Sequence, residues 1–477
     1  GNGLIMDGNN STAMYVHMPN IKQGLLLRIV LLLLLAFGLG IRLVDLKDPP
    51  LDFHPTRQLR AAIIARGMYY EMSPAAGPWL RAEAVNSLTR METYEPPIFE
   101  RLVALTYLAA GGEHLWIARV YALLFWCAGG IFLFDLARRL VSWGGGLVTL
   151  AYYLLLPLAV LGSRSFQPDP LVTFWIILTL WMMYFWRKKC TWKWALFTGS
   201  VIGITLLIKI TAVFFVLPAV VILVLDAWGF RRAVRQGQVW LAAVVALIIP
   251  SIHYIPLIAQ GSSSYISFWI LSFKDLLLEP RFFVQWLKFL DYLFNLALLV
   301  TGIVGAAMFP AKGYRKALFA MWLGYVVYGL TFSFQINTHE YYSLMFVPIV
   351  ALSLAPVGHA LIEKIREQAV FWRLLVVAGL LIGISYPVWM TYTGLIGCDY
   401  SGEAAAWKKM GQDLPESGQI IALTHDYGLR IHYYGWRFVN LWPTTDDMEM
   451  LADRDNDGSE TFVDIDAEFS ERTQGMS

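Results

Sequence analysis

The run Leu25-Leu-Leu-Arg-Ile-Val-Leu-Leu-Leu-Leu-Leu-Ala36 contains a single charged side chain. With its flanks it is long enough to form a membrane-spanning helix, because about 20 apolar residues cross the hydrocarbon core of a bilayer. Similar runs recur along most of the 477 residues. Hydrophobic residues make up 57% of the chain and charged residues 15%, well below the quarter or so that is typical of soluble domains. The sequence therefore predicts an all-α polytopic membrane protein.

Each long apolar run can be taken as one helix, which predicts about eleven spans. Their approximate limits are 24–43, 114–136, 143–162, 168–187, 193–209, 211–227, 238–257, 284–303, 316–334, 340–360 and 371–393. The first run is not followed by a small-residue cleavage site, so we interpret it as a retained span. This divides the chain into an amino-terminal segment (1–23), a transmembrane domain (24–393) and a carboxyl-terminal domain (394–477).

Basic residues occupy every second loop between the predicted spans. Because lysine and arginine are enriched in cytoplasmic loops, these loops are predicted to face the cytoplasm. The amino terminus is then inside and the carboxyl terminus outside, in an inner or plasma membrane of the cell. The basic residues are Lys22, Arg28, Arg138, Arg139, Arg187, Lys188, Lys189, Arg231, Arg232, Arg235, Lys312, Arg315, Lys316, Lys364 and Arg366.

The predicted outer face carries a long first loop, 44–113, and the polar tail. Helical spacing of apolar residues in the loop predicts helices over 56–71 and 98–110, the second lying in the membrane interface. The tail has an α/β-like pattern, and at under a hundred residues it is predicted to be incomplete or to depend on the membrane part for its core. Its predicted elements are a helix at 402–412, a strand at 419–424 and a helix at 427–434.

Three other features of the sequence indicate little chemistry. The acidic stretch 453–464 matches part of the spacing of a calcium-binding loop, but its last position is Asp464 and not glutamate, so a solvated acidic turn is favoured. The net charge of +2 without a basic tract gives no indication of a nucleic-acid partner. The three cysteines are too few and too scattered for a disulfide framework.

Ionisable side chains at the outer ends of spans are candidates for function, because charge near lipid is costly. This face supplies both carboxylates that can act as a base and cations that can hold an anionic leaving group. Asp52, which follows Pro49-Pro50 at the start of the first loop, is the best candidate for the base. The other candidates are Arg57, Glu95, Arg164, Asp169, Lys209, His253, His339, Glu340 and Tyr341.

Structural roles compete with each of these assignments. Asp52 and Asp169 could cap the helices that follow them, and Glu95 before Pro96-Pro97 could be a turn residue. Lys209 could extend its ammonium group to the membrane interface. The histidines His253 and His339 are equally compatible with structural and ligand-binding roles.

Three motifs in order resemble those of the GT-C class of membrane glycosyltransferases, specifically the PMT-like family 39. They are Asp52 after the first span, Tyr94-Glu95-Pro96-Pro97 in the first outer loop and Asp169-Pro170 at the start of a later span. The segment His339-Glu340-Tyr341-Tyr342 resembles the late outer motif of the family. This group includes protein O-mannosyltransferases and the aminoarabinose transferase that modifies lipid A. The resemblance covers roughly residues 24 to 440.

The sequence departs from the family pattern at two positions. Phe53 follows Asp52 where the family often has glutamate, and Pro96 replaces the lysine that follows the motif glutamate in aminoarabinose-type enzymes. A phosphate contact would then come from Arg57, Arg164 or Lys209. In that branch a glutamate and a histidine hold a metal ion, so the resemblance is compatible with a divalent metal held by Glu95 and His253.

The resemblance implies a polyprenyl-phosphate sugar as donor and an inverting displacement at the anomeric carbon. Asp52 would act as base, Glu95 would support it or bind metal, and Asp169 would orient the site. It does not imply the sugar or the acceptor, which could be a protein, a lipid or a glycan. The alternative function is a transporter or lipid flippase, but repeat symmetry and broken helices, the usual signs of a transporter, are not recognisable in the sequence.

The orientation predicts which residues an impermeant reagent reaches. In intact cells, single cysteines from Ser262→Cys and Ser459→Cys should react with a membrane-impermeant thiol reagent, because both positions lie in predicted outer segments. A cysteine from Gln236→Cys, in a basic loop, should react only after permeabilisation. Labelling of position 236 from outside would reverse the orientation.

Overall fold

The computed structural model describes residues 21–73, 77–91, 93, 95–260, 263–415, 419–422, 424, 426–441 and 460–463. These residues are predominantly helical, as the sequence predicts. In chain order the helices are α1 (Ile21–Leu43), α2 (Pro55–Met72), α3 (Pro78–Arg90), α4 (Ile98–Ala110), α5 (Trp116–Leu140), α6 (Trp143–Leu155), α7 (Pro157–Gly162), α8 (Asp169–Lys189), α9 (Trp192–Ile208), α10 (Val213–Trp228), α11 (Phe230–Ala233), α12 (Gly237–Ala259), α13 (Ser263–Leu271), α14 (Pro280–Phe294), α15 (Leu296–Met308), α16 (Lys312–Thr331), α17 (Ser333–Thr338), α18 (Val347–Ser353), α19 (Ala355–Glu367), α20 (Val370–Gly397), α21 (Ser401–Asp413) and α22 (Leu429–Gly435).

Short 3-10 turns link some of these helices, at Ile210–Ala212, Lys274–Leu278, Glu340–Phe346 and Asp426–Gly428. The strands β1 (Gln419–Ala422), β2 (Asn440–Leu441) and β3 (Glu460–Val463) form a parallel sheet in the order β2-β1-β3. The α/β character predicted for the tail is confirmed. The residues of the calcium-loop pattern before β3 lie outside the described part of the chain.

Seven helical segments of the described chain are long and apolar enough to cross a membrane, or eight if a bent pair counts as one span. They are Gly24–Leu43, Trp116–Leu140, Asp169–Lys189, Ile210–Trp228, Gly237–Ala259, Glu340–Glu367 and Val370–Asp413. The helices α6 and α9 are apolar but shorter. A polytopic all-α membrane fold is therefore confirmed, with fewer full-length straight spans than the eleven predicted.

The predicted span 284–303 is wrong as a single straight helix. It lies across α14 and α15, which meet at an angle of 86°. Asn295 makes the break because its backbone is left-handed, with φ of 64°, and its side chain accepts bonds from the N–H groups of Ala297 and Leu298. An asparagine tolerates this conformation better than most residues and caps the new helix. The continuous apolar sequence conceals the break.

The chain divides into two compact units. The larger consists of Gly1–Leu43, Leu124–Gly162 and Asp169–Thr391 and holds most of the apolar helices. Within it α9 packs along α12 and α10 along α16. A side chain at Gly324 would lie 2.0 Å from the carbonyl oxygen of Phe214, so only glycine permits this approach of α16 to α10. Small residues at such crossings are typical of packed membrane helices.

The smaller unit consists of Val44–Leu123, Ser163–Pro168 and Tyr392–Ser477, so the first loop and the tail cluster together. The helices predicted at 56–71 and 98–110 are confirmed as α2 and α4, whereas α3 is not predicted from the sequence. The apolar core of the tail lies between α21, β1 and α22, and α22 also packs on α2. The tail therefore depends on the first loop for part of its packing.

Arg66 on α2 links the first loop to the tail. Its guanidinium donates bonds of 3.0 and 3.1 Å to the carboxylate of Glu113 and one of 2.6 Å to the carbonyl oxygen of Tyr433. It also lies 3.9 Å from the ring centre of Tyr433 and 4.1 Å from that of Trp436. Because the guanidinium is buried, these contacts must replace its hydration.

Replacing this guanidinium should loosen the smaller unit. Arg66→Leu leaves the Glu113 carboxylate partly buried without its cation, and breaking such a pair typically costs about 3 kcal/mol or more. We expect a clearly lower midpoint of thermal unfolding, followed by tryptophan fluorescence of the purified protein. In the matched control Arg366→Leu, the lost pair with Glu363 is about half exposed, so the midpoint should hardly change. Equal midpoints for both variants would contradict this role of Arg66.

Candidate active site

Asp52 lies in the smaller unit and is held by an arginine. Its Oδ1 accepts a bond of 3.1 Å from Nη2 of Arg119, and its side chain is 20% exposed. It does not cap the following helix, because His54 occupies the cap position of α2 and no side chain bonds the helix end there. The ion pair engages Oδ1 and leaves Oδ2 for a proton. The helix-cap alternative is therefore wrong.

Arg119 was not singled out by the sequence analysis, yet it organises this part of the unit. Its side chain is 3% exposed. Besides Asp52 it bonds the carbonyl oxygens of Asp45 at 3.1 Å and Leu46 at 3.4 Å. The sequence does indicate a functional role for it, since an arginine in the first turn of an apolar span is energetically costly and such residues are usually functional.

Arg164 bonds the same stretch of backbone as Arg119. Its Nη2 donates to the Asp45 carbonyl oxygen at 2.9 Å, and the residue is 2% exposed. The buried Nε and Nη1 atoms have no hydrogen-bond partner within the described part of the chain. Burial and the nearby charge of Arg119 lower the pKa of Arg164 to about 10. A buried guanidinium with unsatisfied donors is a ready site for an anion.

Gln58 on α2 fixes the backbone around these groups. Its Nε2 donates to the carbonyl oxygen of Phe53 at 2.6 Å, and its Oε1 accepts the N–H of Phe166 at 3.0 Å. One fully buried amide thus ties the segment of Asp52 and the segment of Arg164 to the same helix. A buried amide with such bonds keeps both segments in one geometry.

Three acidic residues, Asp45, Asp48 and Asp52, accompany the two arginines. Burial, aided by the charge of Asp45, raises the pKa of Asp48 to about 6, although its Oδ1 accepts the N–H of Tyr400 at 2.8 Å. Asp48 therefore changes its charge within the ordinary pH range, close to the proposed base.

Glu95 and Arg57 pair with each other in the same unit. Their side chains are 3.1 Å apart and each is 25% exposed. Glu95 is thus more than a turn residue. Glu100, in the first turn of α4, lies near this pair, and burial together with the charge of Glu95 raises the pKa of Glu100 to about 7.

Asp169 and Lys209 form a buried pair in the larger unit. Lys209 Nζ lies 2.7 Å from Asp169 Oδ1, and the two side chains are 5% and 0% exposed. The lysine therefore does not extend to an aqueous interface, and that alternative is wrong. Its Nζ also lies 5.3 Å from the ring centre of Tyr342 and 5.7 Å from that of Tyr341.

His339 precedes the 3-10 turn Glu340–Phe346, in which Tyr341 lies beside this pair. His339 Nδ1 is 2.6 Å from the hydroxyl of Thr338, and its ring centre is 5.5 Å from that of the buried Tyr341. Glu340 begins the turn. Of the residues predicted by sequence, Asp169, Lys209 and Tyr341 are thus brought together in the larger unit.

The proposed metal ligands lack support from these side chains. His253 lies on α12 beside Tyr254, and its buried Nε2 has no hydrogen-bond partner among the described residues. Glu95 Oε2 is engaged by Arg57. No group of three or more His, Cys, Asp or Glu side chains in the described ranges is placed to hold a metal ion. The residues do not fit a metal centre as they stand, and the metal stays a prediction.

The helical architecture is that of a polytopic membrane protein, and solved structures share its fold. ArnT from Cupriavidus metallidurans bound to undecaprenyl phosphate matches with a TM-score of 0.56 and 15% identity, covering 92% of this chain and 90% of that one. The Archaeoglobus fulgidus oligosaccharyltransferase in complex with Zn and sulfate matches with a TM-score of 0.59 and 12% identity, covering 87% of this chain and 62% of that one. At these identities the likeness concerns the fold.

A comparison with protein families agrees with this fold. Residues 94–255 match the family described as dolichyl-phosphate-mannose-protein mannosyltransferase. No curated protein matches the chain. The family match and the structural matches together confirm the resemblance to the PMT-like GT-C glycosyltransferases.

The raised pKa of Asp48 predicts a pH-dependent stability. The pKa is about 6 in the folded protein and about 4 for an unfolded aspartate. Folding therefore favours the protonated form, and stability falls as the pH rises from about 4 through about 6. Asp48→Asn keeps the acceptor for Tyr400 but cannot ionise. Its Tm should exceed that of the wild type by an amount that grows over this pH window and then stays constant. A pH-independent difference would contradict the ionisation of Asp48 as its cause.

Proposed function

We propose that this protein is a membrane glycosyltransferase that moves a sugar from a polyprenyl-phosphate donor to an acceptor. The observation that carries the proposal is the arrangement in the smaller unit. Arg119 and Arg164 both bond the carbonyl oxygen of Asp45, Arg119 holds Asp52, and Arg164 has two buried donors without a partner in the described chain. The backbone at Asp45 thus holds the arginines that can bind an anion, and one of them holds the carboxylate that can act as base.

The chemistry requires both kinds of group. An acceptor hydroxyl or amine attacks the anomeric carbon of the sugar while the bond from that carbon to the phosphate oxygen breaks. The proton of the acceptor goes to Oδ2 of Asp52, and the electron pair of the broken bond leaves with the polyprenyl phosphate. A single displacement of this kind inverts the anomeric configuration. A positioned base contributes typically about 10²- to 10⁴-fold to such a reaction.

The leaving phosphate carries substantial negative charge at a membrane edge, where an unpaired anion is costly. Arginine suits this charge because its planar guanidinium group can donate hydrogen bonds to two phosphate oxygens at once. Arg164 has Nε and Nη1 available for such a bond, and its low exposure reduces competition by water.

The comparisons support a lipid-linked donor. One structure of similar fold contains undecaprenyl phosphate, and the matching family is described by a dolichyl-phosphate sugar donor. The long apolar helices of this chain are suited to a membrane, which is where such a lipid carrier resides. The acceptor is a protein, a lipid or a glycan at the outer membrane face, with the amino terminus of the enzyme in the cytoplasm.

The remaining predicted residues receive supporting roles in this proposal. Arg57 provides positive charge for the phosphate, and Glu95 holds its side chain in place through their ion pair. Within the larger unit, Asp169 holds Lys209 beside the ring of Tyr341. No step of the proposed reaction requires a metal ion.

The base and its arginine can be tested together. Asp52→Asn is nearly isosteric but cannot accept the proton, so turnover should fall by about 10²-fold or more. Arg119→Gln should lower kcat with little change in the KM for the donor, because Arg119 acts by holding Asp52. The double variant should be no slower than Asp52→Asn alone, since effects of residues that act as a unit do not add.

Thermal unfolding of each variant shows whether it is folded. Arg119→Lys, which keeps the charge, serves as the conservative comparison and should retain more activity than Arg119→Gln. Near-normal turnover of a folded Asp52→Asn variant would remove Asp52 from the role of base. Additive losses in the double variant would show that Arg119 acts independently of Asp52.

The phosphate assignment predicts a binding defect. Arg164→Gln should weaken binding of polyprenyl phosphate without a sugar by about 10-fold or more, because a hydrogen bond to a charged group contributes about 1.5–3 kcal/mol. Binding to the purified protein in nanodiscs can be measured with a radiolabelled lipid. Arg373→Gln removes an exposed arginine and should leave the affinity unchanged. An unchanged affinity of the Arg164→Gln variant would show that Arg164 does not bind the phosphate.

A further inference from the structure

Three aromatic side chains of the smaller unit form a cluster at its surface. They are Tyr70 in the last turn of α2, Trp79 in the first turn of α3 and Trp436 directly after α22. The ring centre of Trp436 lies 5.7 Å from that of Tyr70 and 6.3 Å from that of Trp79. Because Trp79 is 56% exposed, a ligand can reach its indole ring from solvent. We call these three residues the aromatic platform.

The backbone of Trp436 has a conformation that bulky residues avoid. Its φ is 56° and its ψ is 33°, in the left-handed region that glycine or asparagine usually adopts at the end of a helix. Strained backbone of this kind persists where the surrounding structure holds it, and it is concentrated at functional sites. The Arg66 guanidinium, 4.1 Å from the ring centre, fixes the Trp436 ring from one side. The strain therefore indicates that the ring itself is required at this position.

The side chains around Trp79 are polar. Asn86 follows Trp79 by two turns of α3, so it lies on the same face of the helix, and it is exposed. Arg81 donates a bond of 3.3 Å to the carbonyl oxygen of Glu71, the residue after Tyr70, and both Arg81 and Glu71 are exposed. Charged side chains are costly in lipid. The exposed ring of Trp79 therefore faces water and not the membrane.

This combination of groups selects a carbohydrate. Flat aromatic rings pack well against the C–H faces of sugar rings, because they present a large apolar surface with little to rearrange. The Asn86 amide and the Arg81 guanidinium can bond the hydroxyl groups at the edge of such a ring. A lipid chain on the same surface would leave these polar groups without hydrogen bonds, which is unfavourable.

The position of the platform relative to the proposed base sets the length of the ligand. Gln58 near the start of α2 bonds the carbonyl oxygen of Phe53, the neighbour of Asp52. From Gln58 to Tyr70 the helix rises by about 18 Å, at about 1.5 Å per residue. A single sugar cannot bridge this separation, whereas a chain of several sugars can.

We propose that Tyr70, Trp79 and Trp436 bind the acceptor and that the acceptor is a glycan chain several sugars long. The inference rests on the proposed function for the transfer reaction, and it selects one of the three acceptor classes. The end of the chain receives the new sugar beside Asp52, while a sugar further along the chain stacks on the aromatic platform.

Binding of defined oligosaccharides to the full chain in nanodiscs tests the platform. The probes are oligosaccharides of one to six sugars, in separate series of glucose, mannose, galactose and N-acetylglucosamine, and binding is measured by saturation-transfer NMR and titration. In the wild type, at least one series should bind, and its affinity should rise with chain length. Trp79→Ala should weaken binding of the longest member by about 3- to 10-fold, comparable with the loss of a stacking contact between rings. Trp79→Phe, which keeps a ring, should retain more affinity.

Two further variants separate a binding role from a structural one. Trp436→Gly suits the left-handed backbone and preserves the turn, but it removes a ring of the platform and should also weaken binding. Trp372→Ala removes a tryptophan of equal exposure, 55%, from α20 in the larger unit, and should leave the affinity unchanged. Thermal unfolding verifies that each variant is folded. None of these variants should alter the binding of bare polyprenyl phosphate.

The possible results distinguish this inference from the proposed function. If no series binds the wild type, or if Trp79→Ala binds as tightly as the wild type, the inference fails and the donor assignment stands. The inference also fails if Trp79→Phe removes part of the fluorescence that brominated lipids in the nanodisc quench, because Trp79 would then be a membrane anchor. If bare polyprenyl phosphate does not bind the wild type, the proposed function itself fails, whatever the oligosaccharides do.

Discussion

The carbonyl oxygen of Asp45 accepts bonds from two buried arginines, Arg119 and Arg164, and the geometry of the proposed catalytic groups depends on this shared contact. Burying two guanidiniums close together is unfavourable unless dipoles and anions compensate their charge. The loop carbonyls and Asp52 compensate Arg119, whereas Arg164 keeps two donors without a partner in the described chain. The folded protein thus contains a positively charged site that a bound phosphate would neutralise.

The sequence could predict the architecture because lipid imposes simple rules on it. Long apolar runs must be helical, and the helix α4 follows from its spacing of apolar residues. The break at Asn295 was not predictable from hydropathy, because the residues on both sides of it are apolar and the bend is made by backbone conformation and a side-chain cap. The helix α3 was missed because its sequence is largely polar and has no clear apolar stripe.

The candidate site was predictable in its residues but not in its pairings. Charged side chains at span ends pointed to Asp52, Arg164, Asp169 and Lys209, since charge near lipid is expensive. Which charges would meet depends on tertiary contacts, and spacing gives no information about them. The sequence does not distinguish a functional role of Arg119 from that of a membrane anchor, because one arginine in the first turn of a span is common to both. The sequence is equally compatible with an interfacial role for Lys209, which its buried bond to Asp169 excludes. The metal suggested by family resemblance finds no set of ligands in the described chain.

The central claim is that the sugar comes from a polyprenyl phosphate and that this lipid phosphate is the leaving group. The most direct test combines the purified protein in nanodiscs with a polyprenyl-phosphate sugar that is labelled in both its sugar and its lipid. Membranes from cells without this protein supply the acceptor. The account predicts that labelled sugar passes to the acceptor while an equal amount of polyprenyl phosphate is released, and that Asp52→Asn slows both to the same extent. Transfer from a nucleotide sugar in the absence of any polyprenyl lipid would contradict it.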